Sequence, residues 1–328
     1  MARLTVIGAG AWGTTIAQLL AVGGHDVSLW ARDDEHVRQL TAARLNERRL
    51  PGVTLHENLK FTSDPAESVS GSEAVFVAVP SRHLQDVLDR FPAVPAIISC
   101  VKGFGAEGLE RMTQVIGRLR PDAATAALSG PNLAAEIARG LPAAAVAASD
   151  SAHLRDNVQR WLQGPTFRTY SSDDVAGVEI GGAIKNVIAL ATGMTDALGL
   201  GDNTKATIIT RGLHELVRLG TLLGGRRETF YGLSGLGDMV ATCAGPQSRN
   251  FLAGSRIARG EDLEALEREG LTAEGIGTVK RVVEYASRQG LDLPICSEVH
   301  AVIFEKKPPV DAIRALMERS SKAETVVY

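Results

Sequence analysis

The chain has 328 residues, 45% of them hydrophobic and 22% charged, which is typical of a globular protein of two domains rather than of a disordered chain. The net charge of −3 gives no basic field for nucleic acid, and three scattered cysteines argue against a disulfide framework or a metal site. No apolar run approaches the ~18–20 residues of a membrane span, and the first strand leaves no room for a signal peptide, so we expect a cytoplasmic protein.

The first half alternates short apolar runs with helical patterns, which predicts an α/β fold with a Rossmann-type, mostly parallel sheet. The last strand signals stop around Thr166–Tyr170. The predicted strands are Leu4–Ile7, Asp26–Trp30, Ala74–Val79, Ala96–Ser99, Thr125–Leu128 and Ala143–Ala147. The predicted helices are Trp12–Val22, Glu35–Ala43, Leu84–Asp89, Leu109–Leu119 and Leu133–Ala138.

The second half has helical patterns only, which predicts an all-α C-terminal domain. We expect a dinucleotide-binding domain over 1–175 and a helical substrate-binding domain over 176–328, with a poorly ordered end over 320–328. Asn203 is a candidate N-cap that follows a loop at Leu198–Asp202. The predicted helices are Val178–Leu198, Asn203–Leu223, Asp238–Cys243, Ser248–Gly254, Glu274–Arg288, Ser297–Phe304 and Pro309–Glu318.

The first strand runs into a Gly-x-Gly-x-x-Gly pattern formed by Gly8, Gly10 and Gly13. Gly8 permits a tight turn, Gly10 lets the backbone approach a pyrophosphate, and Gly13 lets the next helix pack on the sheet. The N–H groups at that helix start favour a phosphate anion. The same glycines also suit an ordinary tight turn, but their place between strand and helix favours dinucleotide binding, with Trp12 covering the turn.

The end of the second predicted strand bears on the choice of dinucleotide. The strand-end position that holds an acidic residue in NAD-binding folds is occupied by Trp30, and Arg32 follows in the loop. An arginine there can pair with a 2′-phosphate, which favours NADP. The alternative is a solvated Arg32, with Asp33 turned inward to bind the ribose of NAD.

Lys185 and Asn186 lie inside an otherwise apolar helix. Burial of an unpaired ammonium costs several kcal/mol, so a buried Lys185 needs a partner, and it suits proton transfer. The alternative is a lysine that extends to solvent from a helix edge. Asp238 follows a glycine-rich turn at a helix start, where it either caps that helix or holds Lys185.

Further polar residues stand where a phosphorylated substrate could bind. Arg249 and Asn250 lie at a predicted helix start and can grip a phosphate, although a surface cap is the alternative. Lys102 follows a predicted strand, and Ser129–Asn132 follows another. Ligands of open α/β sheets bind outside the carboxyl ends of strands, so both segments can face one crevice.

These motifs occur together in NAD(P)-dependent glycerol-3-phosphate dehydrogenase of the bacterial soluble type, and the chain resembles that family over nearly its whole length. The Lys-Asn helix, the Gly-Leu-Gly-Asp turn and the Ser-Arg-Asn turn are the most specific. The matching segments are Gly-Ala-Gly-Ala-Trp-Gly-Thr-Thr at 8–15, Val-Lys-Gly-Phe at 101–104, Leu-Ser-Gly-Pro-Asn at 128–132, Glu-Ile-Gly-Gly-Ala-Ile-Lys-Asn-Val at 179–187, Gly-Leu-Gly-Asp at 235–238, Pro-Gln-Ser-Arg-Asn at 246–250 and Ala-Glu-Gly-Ile at 273–276.

The resemblance implies reduction of dihydroxyacetone phosphate to sn-glycerol 3-phosphate for phospholipid synthesis, with Lys185 as proton donor and acceptor and Lys102 and Asp238 beside it. The implied substrate contacts are Lys102, Gly130, Asn132, Lys185, Asn186, Asp238, Thr242, Ser248, Arg249 and Asn250. The implied cofactor contacts are Gly8, Gly10, Ala11, Trp12, Gly13, Arg32, Lys102, Ala134, Arg249, Thr272 and Glu274. The size and class favour a homodimer.

Three positions depart from the family pattern. Ala11 stands where serine is frequent, Asn132 where serine or threonine is common, and Thr272 where an aliphatic residue is common. Two rival interpretations remain at this point: a related dehydrogenase acting on 3-hydroxy acids or ketopantoate-like molecules, and a redox sensor that binds a dinucleotide without turnover. The Ser-Arg-Asn turn argues against the first, and the lysine near an aspartate argues against the second.

Overall fold

The computed structural model describes residues 1–320, so most of the end segment 320–328 lies outside the described part of the chain. Ten strands form in these residues. They are β1 (Arg3–Ile7), β2 (Asp26–Trp30), β3 (Leu45–Asn46), β4 (Leu50–Thr54), β5 (Lys60–Thr62), β6 (Ala74–Val77), β7 (Ala96–Ser99), β8 (Ala124–Ser129), β9 (Ala143–Ala148) and β10 (Phe167–Ser172). Of these, β1, β6 and β7 are short apolar runs that are almost fully buried.

Sixteen α-helices form in residues 1–320. The first seven surround the sheet: α1 (Ala11–Val22), α2 (Asp34–Ala43), α3 (Pro65–Val69), α4 (Leu84–Leu88), α5 (Met112–Leu119), α6 (Ala134–Ala138) and α7 (Ala152–Leu162). The others form the helical half: α8 (Val175–Ala197), α9 (Gly201–Leu222), α10 (Arg227–Phe230), α11 (Asp238–Cys243), α12 (Arg249–Ala258), α13 (Leu263–Arg268), α14 (Glu274–Gln289), α15 (Pro294–Phe304) and α16 (Pro309–Met317).

Eight strands make one sheet in the order β10-β9-β8-β7-β6-β1-β2-β5. Every neighbouring pair is parallel except β8 with β9, which is antiparallel. The chain begins at β1 in the middle of the sheet, moves outward through β2, and returns to β6 on the other side of β1. This reversal of strand order opens a crevice at the carboxyl ends of β1 and β6, where such sheets bind ligands. The predicted mostly parallel sheet is confirmed.

The glycine turn after β1 packs too tightly for side chains. Gly8 has φ +111°, and a Cβ there would lie 2.8 Å from the Ala78 carbonyl oxygen beyond β6. A Cβ on Gly13 would lie 1.9 Å from the Gly8 carbonyl oxygen. These close approaches seat the start of α1 directly over the crevice.

Helix α8 forms the centre of the helical half. All its residues from Gly177 to Thr195 are buried, because α9, α11, α12, α14 and α15 all pack around it. A Cβ on Gly193 would lie 2.0 Å from the Phe251 carbonyl oxygen, so the backbones of α8 and α12 touch.

A separate apolar cluster fills each face of the sheet.

By length and composition alone, α8 could cross a membrane, with a mean hydropathy of 1.4 over its most apolar window. The expectation that no apolar run approaches that length therefore needs correction. Inside the protein 89% of this window is buried, as in the core helix of a folded domain.

Some element predictions were wrong or incomplete. Helix α9 begins at Gly201 after Leu200, so Asn203 lies in its first turn and is not the N-cap. The predicted loop is correspondingly shorter than Leu198–Asp202. The helix predicted from Leu109 begins only at Met112, since Leu109 is buried in the helical core.

The elements that were missed are short or contain many polar residues. These are the hairpin β3–β4, the strands β5 and β10, and the helices α3, α7, α10 and α13. A π-helical turn at Leu233–Gly237 was also missed.

Candidate active site

The predicted pairing of Lys185 with Asp238 is present in the structure. Lys185 Nζ on α8 donates to Asp238 Oδ1 at 2.9 Å, and Lys102 Nζ donates to Asp238 Oδ2 at 2.6 Å. One buried carboxylate therefore holds two ammonium groups, one on each oxygen. The alternative of a Lys185 that extends to solvent is wrong, because only 7% of its side chain is exposed.

Each lysine has a second partner and one donor left over. Lys185 also donates to Thr242 Oγ1, one turn along α11 from Asp238, and Lys102 also donates to the Gly130 carbonyl oxygen at 2.8 Å. An ammonium has three N–H donors. The described contacts use two of them on each lysine, which leaves one N–H on each for a ligand. The group of two lysines and one carboxylate carries a net positive charge, which suits an anionic substrate or a developing oxyanion.

Burial sets the proton affinity of Lys185. Removal from water lowers the pKa of this ammonium to about 8, the Asp238 carboxylate opposes the lowering, and the Lys102 charge adds to it. A pKa near neutral lets one amine act as acid in one direction and as base in the other.

The π-helical turn at Leu233–Gly237 aims Asp238 at the lysines. Gly237 is the N-cap residue of α11, and the Asp238 side chain makes no capping hydrogen bond. The alternative interpretation of Asp238 as a helix cap is therefore wrong. π-Helical turns are frequent at functional sites.

A chain of amide hydrogen bonds connects the predicted substrate residues. Asn186 Nδ2 donates to the Lys102 carbonyl oxygen at 3.4 Å, and Asn250 Nδ2 donates to Asn186 Oδ1 at 2.8 Å. Asn250 Oδ1 accepts from Gly275 N at 2.9 Å. The start of α12 is thus fixed to α8 and to the start of α14.

The Ser-Arg-Asn turn forms the start of α12. Ser248 Oγ accepts from Phe251 N at 3.2 Å and so caps the helix, as the alternative interpretation of this turn predicted. Arg249 occupies the first helical position, and the residue as a whole is exposed. Partial burial of its guanidinium lowers its pKa, and the charge of Glu274 opposes that lowering. The cap does not exclude phosphate binding, since the Ser248 hydroxyl can still donate a hydrogen bond.

The glycine turn has room for a dinucleotide. A Cβ on Gly10 would meet nothing within 4 Å, and α1 begins with no side-chain cap and no acidic residue in its first turn. Trp12 Nε1 is buried without a hydrogen-bond partner in the described chain. The site fits a bound pyrophosphate in three respects. There is open space at Gly10, the first N–H groups of α1 are uncapped by side chains, and Trp12 Nε1 is a donor without a partner in the described chain.

The other predicted cofactor residues surround this turn. Arg32 is exposed after β2, whereas Asp33 caps α2 by accepting from Glu35 N at 2.9 Å. Asp33 is thus not turned inward, against the NAD alternative. Ala134 begins α6 beside α1, since its carbonyl oxygen accepts from Thr15 Oγ1 at 3.2 Å. Ala11 begins α1, and Thr272 precedes α14 in a partly buried loop.

Asn132 lies close to the site but is only half satisfied. Its Nδ2 donates to the Ala144 carbonyl oxygen at 3.3 Å, and its buried Oδ1 has no partner in the described chain.

Within residues 1–320, no group of three or more His, Cys, Asp or Glu side chains could hold a metal ion.

Sequence reasoning missed the contact that links Glu274 to the sheet. Ser81, which follows β6, donates from Oγ to Glu274 Oε2 at 2.8 Å, although 193 residues separate the two. The place of Ser81 after a parallel strand was the available signal. Glu179 was also missed, although it is a charge inside the same apolar helix as Lys185.

Two family models match the chain. The model described as NAD-dependent glycerol-3-phosphate dehydrogenase N-terminus matches residues 3–155, and the corresponding C-terminus model matches residues 174–314.

The chain is also similar to named proteins over nearly its full length. It is 48% identical to the glycerol-3-phosphate dehydrogenase (NAD(P)+) of Thermus thermophilus, over 98% of this chain and 100% of that one. It is 44% identical to the protein of the same name from Geobacter metallireducens, with 98% of each chain covered. The crystal structure of glycerol-3-phosphate dehydrogenase from Coxiella burnetii superposes with a TM-score of 0.92 at 35% identity, covering 97% of this chain and 99% of that one.

Proposed function

Because the chain belongs to the NAD-dependent glycerol-3-phosphate dehydrogenase family, we propose that Lys185, Asp238 and Lys102 form the acid–base centre of that reaction. The enzyme interconverts dihydroxyacetone phosphate and sn-glycerol 3-phosphate by hydride transfer with NAD or NADP. The observation that carries the proposal is the single Asp238 carboxylate, which holds one lysine on each oxygen.

The bound nicotinamide cofactor supplies or accepts the hydride. During reduction, the free N–H of the Lys185 ammonium donates a proton to the substrate oxygen as negative charge develops there. Asp238 orients Lys185, and the Lys102 ammonium stabilises the same oxygen. In the reverse direction neutral Lys185 accepts the hydroxyl proton. General acid–base help of this kind contributes ~10²–10⁴-fold in rate.

The remaining predicted contacts divide between substrate and cofactor. Arg249, the Ser248 hydroxyl and the first N–H groups of α12 hold the substrate phosphate, and Asn186, Asn250 and Thr242 keep the surrounding helices in place. Gly130 and Asn132 border the substrate from the end of β8. The glycine turn, Trp12, Ala134, Thr272 and Glu274 contact the cofactor, and Arg32 makes NADP the favoured form.

The same proposal covers the cellular setting. Glycerol 3-phosphate made by this enzyme supplies phospholipid synthesis, the enzyme acts in the cytoplasm, and it works as a homodimer. The size and class of the chain support the dimer, and sedimentation of the purified protein tests it.

The cofactor assignment is tested by absorbance at 340 nm, with dihydroxyacetone phosphate and either NADH or NADPH. We expect oxidation of both cofactors and a higher kcat/KM with NADPH, because Arg32 can pair with the 2′-phosphate. A preference for NADH would contradict the role of Arg32. Cofactor binding without any oxidation would contradict the whole proposal.

The phosphate site is tested by Arg249→Ala. We expect KM for dihydroxyacetone phosphate to rise by about tenfold or more, since a charge-assisted contact to the phosphate contributes roughly 1.5–3 kcal/mol. Inorganic phosphate should compete with the substrate in the wild type and much less in the variant. An unchanged KM, or no competition by phosphate, would show that the phosphate binds elsewhere.

A further inference from the structure

The loop that carries Lys102 comes from the sheet half of the chain but packs on the helical half. We call residues 100–111, which connect β7 to α5, the Lys102 loop. Phe104 and Leu109 from this loop are buried in the same apolar cluster as Ile180 and Ile184 of α8. Gly105 N donates to the Glu110 carbonyl oxygen at 2.8 Å and closes the loop on itself. The loop is therefore an anchored part of the helical core.

One stripe of α8 contacts this loop. Glu179, Gly182 and Asn186 follow one another at spacings of three and four residues, which places them on one helix face. Asn186 Nδ2 donates to the Lys102 carbonyl oxygen at 3.4 Å. A Cβ added to Gly182 would lie 3.6 Å from Lys102 Cγ, so the lysine stem passes over the helix backbone at this glycine.

Glu179 holds the far end of the loop. Its Oε1 accepts from Thr113 N at 2.9 Å, and its Oε2 accepts from Arg111 Nη1 at 3.1 Å and from Thr113 Oγ1. Only 4% of the Glu179 side chain is exposed, and burial raises the pKa of its carboxyl. A buried carboxylate is tolerated when several donors satisfy it. All these donors belong to the end of the Lys102 loop or to the start of α5.

We propose that Glu179 is a positioning residue, which fixes the Lys102 loop on α8 so that Lys102 and Lys185 face one Asp238 carboxylate at a constant separation. The inference rests on the role of Lys102 in the proposed function. Lys185 lies on α8 itself, and Glu179 and Asn186 fix the Lys102 loop to the same helix. The positions of both lysines are therefore set by α8. A free lysine on an unanchored loop would lose this alignment, because its side chain has four rotatable bonds.

The test is Glu179→Gln, which keeps the side-chain volume but turns an amide donor toward the donors of Arg111 or Thr113. We expect kcat/KM for dihydroxyacetone phosphate to fall by about tenfold or more, since small misplacements of a reacting group are costly. The KM for NADPH should change much less than the KM for dihydroxyacetone phosphate, because most of the predicted cofactor contacts lie around the glycine turn on the sheet. The melting temperature is measured in parallel.

Glu215→Gln is the matched control. Glu215 is equally buried, with 7% of the whole residue exposed against 6% for the whole of Glu179. It also accepts backbone N–H groups at a helix start, from Ile295 at 2.6 Å and Cys296 at 3.1 Å. Its partners lie on α15, away from the Lys102 loop. We expect this variant to keep wild-type kcat and KM, whatever its melting temperature.

A double-mutant cycle with Lys102→Ala separates the two levels of the proposal. If Glu179 acts through Lys102, Glu179→Gln should add little to the effect of Lys102→Ala. A Lys102→Ala variant with wild-type kcat/KM would remove the role of Lys102, and the inference with it.

Two results would overturn only the inference about Glu179, provided that Lys102→Ala is itself impaired. The first is a fully active Glu179→Gln. The second is a double variant whose kcat/KM falls by the product of the two single effects. If Glu179→Gln does not fold, Thr113→Val serves instead, because it removes one donor to Glu179 and keeps the backbone N–H. Its wild-type activity would likewise overturn the inference.

Discussion

At the residue scale, the proposed chemistry depends on how Asp238 shares one negative charge between two ammonium groups. Lys185 is the more buried of the two lysines, with 7% of its side chain exposed against 17% for Lys102. Burial lowers the Lys185 pKa, and the adjacent carboxylate keeps the ammonium form accessible. Lys185 therefore fits the proton donor, and Lys102 fits the fixed positive charge beside it.

A pH profile tests this division. We expect kcat for oxidation of sn-glycerol 3-phosphate to rise with pH through the Lys185 pKa of about 8, because the base must be neutral. The kcat for reduction of dihydroxyacetone phosphate should fall over the same range. Asp238→Asn removes the charge that raises this pKa, so its midpoint should move to lower pH. A midpoint that moves upward in Asp238→Asn would contradict the assignment.

From the sequence, the candidate site residues were predicted where a residue type was out of place. Lys185 was noticeable as a charge inside an apolar run, and Asp238 as an acid after a glycine-rich turn. The contact of Ser81 with Glu274 was beyond such reasoning, because neither residue is unusual locally and only the fold brings them together. Asn132, half-buried with one unpaired oxygen, was placed near the crevice because its segment follows a strand, and its contact with substrate came from the resemblance.

At the element scale, the crossing of α8 and α12 sets the position of the turn that we propose binds the substrate phosphate. A Cβ on Gly254 would lie 2.1 Å from the Leu190 carbonyl oxygen, and a Cβ on Gly193 would lie 2.0 Å from that of Phe251. The two helices thus approach through their backbones. Since α12 begins at Arg249, this crossing also sets the position of the Arg249 side chain.

We expect Gly254→Ala to force α12 away from α8. The predicted result is a loss of about 1–3 kcal/mol in the free energy of unfolding, as for other overpacked interiors, together with a higher KM for dihydroxyacetone phosphate. Urea denaturation and steady-state kinetics measure the two effects.

Gly117→Ala is the control, because Gly117 lies inside α5 with nothing within 4 Å of an added Cβ. That variant should be at least as stable as the wild type, since alanine favours helix. Equal unfolding midpoints for Gly254→Ala and the wild type would show that the crossing is not tight.

Long elements were predicted from their patterns, and short ones were not. Helix α8 was predicted from its apolar run to within three residues at its start and one at its end. Helix α7 was missed although Leu154, Val158 and Trp161 repeat at helical spacing, because most of its other residues are polar. The edge strand β10 was missed because it pairs with one neighbouring strand only and because exposed residues alternate with its buried ones.

At the scale of the whole molecule, the site forms where the sheet meets the helical half. The carboxyl ends of β1, β6, β7 and β8 supply the glycine turn, Ser81, Lys102 and Gly130, and α8 supplies Lys185 across the crevice. The predicted order of domains agrees with this arrangement. The packing of Phe104 in the helical cluster was not predictable, because its neighbours on α8 lie more than seventy positions further along the chain.

In the proposed mechanism the sheet binds the cofactor, and α8 provides the residue that transfers the proton. The most direct test of the account is therefore Lys185→Ala, with kcat measured at saturating dihydroxyacetone phosphate and NADPH and the Kd for NADPH measured by fluorescence. The account predicts a fall in kcat of ~10²-fold or more with an unchanged Kd. A variant that keeps near wild-type kcat would contradict the proposed chemistry.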